Sequence, residues 1–162
     1  MEGRKMDCRE RLEQYFRENE VPFEVMKHEE AYTMQEVAAS LHVPGRQVAK
    51  VVIVKADAQM AMLVVSSPDR LNFAKVRALL DAKDVRLAKE DEFSDLFPDC
   101  EVGGMPPFGN LYGVPVYVDQ ALSNEANIVF RIGTHQEVMK ISYADFARLA
   151  GPTVGEFAVQ ED

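Results

Sequence analysis

Four places in the chain carry residue types that could do chemistry. Lys50 is the first. It stands third in Val48-Ala49-Lys50-Val51-Val52-Ile53-Val54, a run apolar on both faces and therefore an interior strand. Period-two alternation puts its side chain on the face of Val48, Val52 and Val54. A lysine is rarely fully buried there without a partner, and ionisable groups in such positions mark sites. Near the strand start the same side chain can instead snorkel out to water. The second place is the loop Gly103-Gly104-Met105-Pro106-Pro107-Phe108-Gly109. Its glycines expose backbone N–H groups and admit a ligand closely, while its prolines stiffen it. Successive N–H groups make an anion or oxyanion site, although a structural turn uses the same residues. The third is Gly133-Thr134-His135, a small polar turn in which His135 is a candidate acid or base near neutral pH; a surface histidine is the commoner outcome. The fourth is a pair of strand-end residues, His28 and Asp119; Asp119 either caps the turn that follows or orients Lys50.

Other chemistries are disfavoured. There is no Gly-x-Ser-x-Gly elbow and no Cys/His arrangement for a covalent hydrolase, and Ser66-Ser67-Pro68 reads as a strand exit and helix entry. The Gly/Pro loop lacks the Lys-Ser/Thr pair of a nucleotide-binding P-loop. His28, His42 and His135 show no ligand spacing. Cys8 and Cys100 are too few and too far apart in sequence for a disulfide framework or a zinc motif, so reduced thiols with packing roles are expected. No metal and no cofactor is expected.

The elements that must position these groups follow from periodicity and punctuation. Cys8, Leu12, Tyr15 and Phe16 predict a helix over 7–20, stopped by Pro22, with a short strand over 23–28. Thr33 with Glu36 forms a capping box for a helix bearing Met34, Val37, Ala38 and Leu41, ended by Pro44-Gly45. Two β-branched runs, 48–55 and 60–65, joined by Ala56-Asp57-Ala58-Gln59, predict a hairpin. Pro68-Asp69 introduces a helix with Phe73, Val76, Leu79 and Leu80 on one face. A strand over 85–88, an acidic helix over 90–97 and the irregular loop 102–113 come next. Strands over 114–118, 128–132 and 138–141 precede a helix over 142–150, and the tail from Gly151 is expected to fray.

The 162 residues, 47% apolar, suit one compact domain with an ample core. No apolar run approaches the roughly 20 residues that span a bilayer, and residues 1–10 are polar, so a soluble cytoplasmic protein is expected with no membrane partner. Strands and helices interleave without a regular βαβ rhythm. The expected fold class is therefore α/β, with a mixed, barrel-like sheet flanked by helices. Net charge is −9, against a broad nucleic-acid-coating surface. Residues 46–89 nevertheless hold nine basic groups against four acidic ones. That block is either ordinary solvated helix faces or a local platform for one end of a polyanion.

The order of these features resembles the YbaK/EbsC family, also called the prolyl-tRNA-synthetase-associated domain. The residues that carry the resemblance are His28, Thr33, the Val-Ala-Lys opening at Lys50, the Gly-Gly-x-Pro-Pro-Phe-Gly loop, Asp119 and the Gly133-Thr134-His135 turn. The similarity runs from about Leu12 to Leu149, within one editing domain over 1–162. It implies a trans-editing deacylase that hydrolyses the ester between a non-cognate amino acid and the terminal adenosine of a tRNA, without a metal, cofactor or protein nucleophile. By this resemblance Lys50 matches the essential lysine, and Gly103 and Gly104 open the segment whose amides surround the scissile carbonyl. His28, Thr33, Met105, Pro106, Pro107, Phe108, Gly109, Asp119, Gly133, Thr134 and His135 are carried as substrate-binding positions. The implied partners are the aminoacyl-tRNA acceptor end and an aminoacyl-tRNA synthetase, and the expected substrates are small amino acids. Two alternatives stay open: a non-catalytic module of the same fold that binds tRNA ends, nucleotides or protein, and a hydrolase of small acyl esters.

Overall fold

A computed structural model describes residues 7–27, 38–39, 41–101, 103–134 and 137–159. The first helix, α1 (Cys8–Glu18), starts where the Asp7 carboxylate accepts the Glu10 amide at 2.8 Å, a side-chain cap. Cys8, Leu12 and Phe16, spaced by four, are its buried stripe. After β1 (Glu24–Lys27), the hairpin of β2 (Ala49–Ala56) and β3 (Gln59–Ser66) forms as expected but with a tighter turn. Ala56 and Gln59 pair, leaving Asp57, with φ +53°, and Ala58 to turn the chain. The helix expected from Thr33 falls largely outside the described residues; Ala38, Ala39 and Leu41 are helical.

Two residues of strand, β4 (Arg70–Leu71), intervene between Pro68-Asp69 and α2 (Phe73–Leu80), whose cap is Asn72, its side chain accepting the Lys75 amide. Next come β5 (Val85–Leu87) and α3 (Glu90–Phe93), where the expected acidic helix tightens to a 3-10 turn over Ser94–Leu96. Then follow β6 (Val116–Asp119), a short α4 (Gln120–Ser123), β7 (Asn127–Arg131), β8 (Glu137–Ser142) and α5 (Tyr143–Ala150), capped by Ser142. Two further strands, β9 (Thr153–Gly155) and β10 (Ala158–Val159), end the described chain.

The strands make a mixed sheet in the order β5-β2-β3-β6-β9, an antiparallel sheet β1-β8-β7 and the pair β10-β4. A parallel bridge, Val48 to Val129, ties the first two sheets at one corner, and no closed barrel forms among the described residues. The continuous apolar runs of β2 and β3 have a direct cause. Ala49, Val51, Ile53, Met62 and Val64 face a core shared with α1, α5 and the aromatic side chains, whereas Val52, Val54, Leu63 and Val65 face α2 and Phe157. A strand covered on both faces has no polar side.

The frayed tail is a correction. Thr153–Gly155 adds a parallel strand to β6, and Phe157 is fully buried. The anchor is Asp119, itself 4% exposed, whose carboxylate accepts the amides of Ala121, Phe157 and Ala158 at 3.0, 2.9 and 3.0 Å. One carboxylate thus caps α4 and stitches down the tail. Asp119→Ala is expected to lower unfolding free energy by about 2–4 kcal/mol, since it strands a buried amide and removes a cap. Asp119→Asn, which keeps one acceptor oxygen, is expected to lose less; urea unfolding of both variants checks this.

The cysteines are a second correction. Cys8 and Cys100 form a disulfide, with their Cα atoms 4.9 Å apart. Their sequence separation of 92 said nothing about folded distance, because the segment after the Ser94–Leu96 3-10 turn returns to the start of α1. The Cys8 amide donates to the Asp99 carbonyl there at 3.0 Å.

Candidate functional site

Lys50 lies in β2 opposite Val65. β5 covers β2 only from Val54 onward, so the edge beside Lys50 is left to the second sheet. The Val48–Val129 bridge sets a parallel register there, and two residues further along each chain bring Lys50 and Arg131 side by side. Lys50 is half-buried, and its ammonium donates to the Asp69 carbonyl at 2.7 Å, one of its three donors. Lys50 and Arg131 line a cavity of about 50 Å³ together with Ala49, Val51, Gly103 and Met105.

Arg131 is a residue that the sequence reading missed. It is 9% exposed and donates from Nη1 to the Gly103 carbonyl at 3.1 Å. A guanidinium presents several donors in a fixed fork, so this contact fixes the loop's opening peptide. The signal was present: an arginine in Ile128-Val129-Phe130-Arg131-Ile132 is the same anomaly as Lys50 in its run.

The Gly/Pro loop and the Gly-Thr turn meet. The Gly133 amide donates to the Gly104 carbonyl at 2.7 Å, the Glu101 amide to the Gly133 carbonyl at 2.9 Å, and the Gly104 amide to the Glu101 carbonyl at 2.9 Å. A Cβ on Gly104 would lie 2.9 Å from the Gly133 carbonyl carbon, so this backbone approach requires glycine. Gly103 adopts φ +82°, the left-handed region. The Gly104 N–H is therefore spent within the loop, as is that of Phe108, which donates to Pro106 at 2.8 Å. Pro106 and Pro107 have no N–H. Of the loop, Gly103 and Met105 line the cavity.

The remaining expected site residues divide. Phe108 is fully buried, with its ring 5.3 to 6.5 Å from those of Tyr15, Phe16, Phe130 and Phe146. Its ring anchors the loop from below. Gly109 is a close-approach position, since a Cβ there would lie 2.7 Å from the Val114 carbonyl oxygen. Pro106 and Pro107 are buried. Asp119 serves the tail, away from the cavity lined by Lys50. Gly133 and Thr134 line a different cavity, of about 480 Å³, beside Cys8, Asp99 and Cys100. His28, Thr33 and His135 lie outside the described residues.

The basic block is partly neutralised. Arg46 pairs with Glu125 at 3.2 Å, and Glu92 takes Arg86 at 2.7 Å and Lys55 at 3.6 Å. The Arg86 pairing lowers the Glu92 carboxyl to a pKa of about 2. Any cationic reach toward a polyanion therefore rests on the other members of the block.

Comparison with known proteins is consistent in direction. Residues 28–149 match the profile of a family described as the aminoacyl-tRNA editing domain. Among curated proteins, a proline–tRNA ligase of Bacillus mycoides is 29% identical over 94 residues, 58% of this chain and 16% of the ligase. One of Bacillus cytotoxicus is 31% identical over 94 residues, with the same coverage. The chain thus spans only about a sixth of the ligases it matches. Two crystal structures share the fold. One, of a hypothetical protein, has a TM-score of 0.82 at 23% identity over 93% of this chain and 100% of its own. The other, of a protein proposed to be a trans-editing enzyme for prolyl tRNA synthetase, has a TM-score of 0.81 at 20% identity over 98% and 100%.

Proposed function

This chain belongs to the aminoacyl-tRNA editing domain family, and on that premise we propose that it hydrolyses the ester joining a small non-cognate amino acid to the terminal adenosine of a tRNA. The observation that carries the reading is the convergence of Lys50, Gly103 and Met105 on one small cavity in a chain of this family. At about 50 Å³ that cavity admits roughly three water-sized groups, the scale of a small side chain or an ester oxygen.

In this mechanism water is the nucleophile. The Lys50 ammonium, steadied by the Asp69 carbonyl, holds an oxygen of the substrate's ester or terminal phosphate as a compact point charge. Amides of the Gly103–Met105 segment meet the oxyanion as water adds to the ester carbon, and the alkoxide of the terminal ribose leaves with a proton. A preorganised donor of this kind contributes about 3 kcal/mol to lowering the barrier. Holding water and ester together supplies the rest through proximity. A hydroxyl of the ribose helps to position the water. Arg131, through the Gly103 carbonyl, keeps the segment aimed. The site of action in this reading is the cytoplasm, and the partners are the acceptor end and an aminoacyl-tRNA synthetase, since the matched region of the ligases is part of a synthetase.

The test is single-turnover deacylation of a panel of tRNAs mischarged with alanine, serine, threonine, cysteine and larger residues, at several salt concentrations. One or more small amino acids are expected to be released, with binding that weakens as salt rises. Equal, salt-insensitive cleavage of a simple aminoacyl ester would favour a small-ester hydrolase. Release from no tRNA would leave a binding module.

A further inference from the structure

The Cys8–Cys100 disulfide touches the proposed editing loop through three close steps. Gly133, at φ +102°, lies against Cys8 so tightly that a Cβ on it would be 2.7 Å from the Cys8 Cβ and 3.1 Å from its Sγ. Gly133 is bonded through its amide to Gly104 and through its carbonyl to Glu101, next to Cys100. Gly104 follows Gly103, whose carbonyl Arg131 holds at the cavity shared with Lys50. Breaking the S–S bond forces the sulfurs apart by about 1.5 Å or more, to a non-bonded separation. Cys8, 2% exposed and backed by Gly133, has no slack to absorb that movement.

The bond is also reachable. The cavity of about 480 Å³ is lined by both cysteines with Arg9, Asp99, Glu101 and Thr134, and Cys100 is the more exposed sulfur residue. The Tyr112 hydroxyl donates to Asp99 at 2.8 Å and lies 3.4 Å from the Cys100 Sγ and 3.7 Å from the Cys8 Sγ. Burial, reinforced by the hydrogen bond to Asp99, pushes its pKa up, so it stays protonated and can turn to a departing Cys8 thiolate.

We propose that Cys8–Cys100 is a thiol-exchange site, open to low-molecular-weight thiols, whose oxidised state holds the Gly103–Met105 segment in its working geometry. A thiolate attacks the Cys100 Sγ, forming a mixed disulfide and releasing Cys8 as a thiolate that takes a proton. A second thiol attacks the mixed disulfide and releases Cys100. Two external thiols are oxidised to one disulfide, and two cysteine thiols are formed. In a reducing cytoplasm such a bond is a sensor and not a staple. The consequence for activity rests on the deacylase reading; the exchange and its effect on the loop do not.

The experiment compares the oxidised protein with the same protein treated with reduced glutathione or dithiothreitol, then reoxidised with glutathione disulfide. Reduction is expected to expose two titratable thiols and to raise amide hydrogen exchange at 101–109 and 132–134. It is expected to slow single-turnover deacylation by about tenfold to a hundredfold, the scale of a misplacement near 1 Å, with recovery on reoxidation. Cys100→Ser is expected to run at the reduced rate whatever the thiol. Should that variant fail to fold, the exchange measurement on the unsubstituted chain decides alone. No thiols under glutathione or dithiothreitol, or identical exchange in both states, would overturn the proposal. Identical deacylation rates in the two states would overturn the coupling to activity, whereas an oxidised protein that releases no amino acid would overturn the deacylase reading instead.

Discussion

On the proposed function, Lys50→Ala is expected to slow single-turnover release of the amino acid by about a hundredfold to a thousandfold, the loss that follows removal of one preorganised transition-state contact. Folding should survive, because the side chain is only half-buried and stands near the start of β2, not in the closed core. The rate is read with the protein in saturating excess over tRNA, so weaker binding alone cannot produce the effect. Lys50→Arg is informative beside it. A planar guanidinium keeps the charge but does not fit a space of about 50 Å³ already bordered by Arg131, so the rate is expected to stay low. A parental rate in Lys50→Ala would remove Lys50 from the mechanism while leaving the activity in place.

Phe108→Ala is expected to cost about 3–5 kcal/mol of stability, the range for deleting a buried aromatic side chain, and to lower the melting temperature by about 10 °C. Four aromatic rings converge on this one, so the cavity left behind cannot collapse easily. Phe108→Leu, which keeps most of the volume, should recover much of the loss and retain deacylation. That contrast separates an anchor from a substrate contact: a residue touching substrate would lose rate in both variants at temperatures where both are folded.

The elements read from periodicity formed close to their expected limits. α1, the β2–β3 hairpin and α5 owe this to apolar spacing and capping side chains that lie within a few residues of one another. What escaped the sequence depended on distant partners. The tail is ordered because Asp119 reaches Phe157, and nothing local to Gly151–Val159 records that bond. The disulfide joins residues 92 apart, and Cys8 read equally well as the first residue of a helical stripe. In the site, Lys50 and the glycines were legible because an ion in an apolar run and paired glycines in a stiff loop are anomalies on their own. The burial of the Phe108 ring was not legible, because a motif says which residues recur together, not whether each faces a cavity or the core. Arg131 carried the same anomaly as Lys50 and needed the Val48–Val129 register to give it meaning.

The parallel pairing of β3, β6 and β9 bears on how the molecule assembles. Its central sheet draws neighbouring strands from residues 59–66, 116–119 and 153–155, so each contact closes a long loop before any burial rewards it. The β2–β3 hairpin is local and can form early, whereas the parallel strands must be recruited across the chain. Until β9 docks, β6 presents an unpaired edge of alternating valines, the kind of surface on which one unfinished chain finds another. Docking of β9, held in place by the Asp119 bonds to Phe157 and Ala158, covers that edge, so a chain that has lost the clasp is expected to expose it more often.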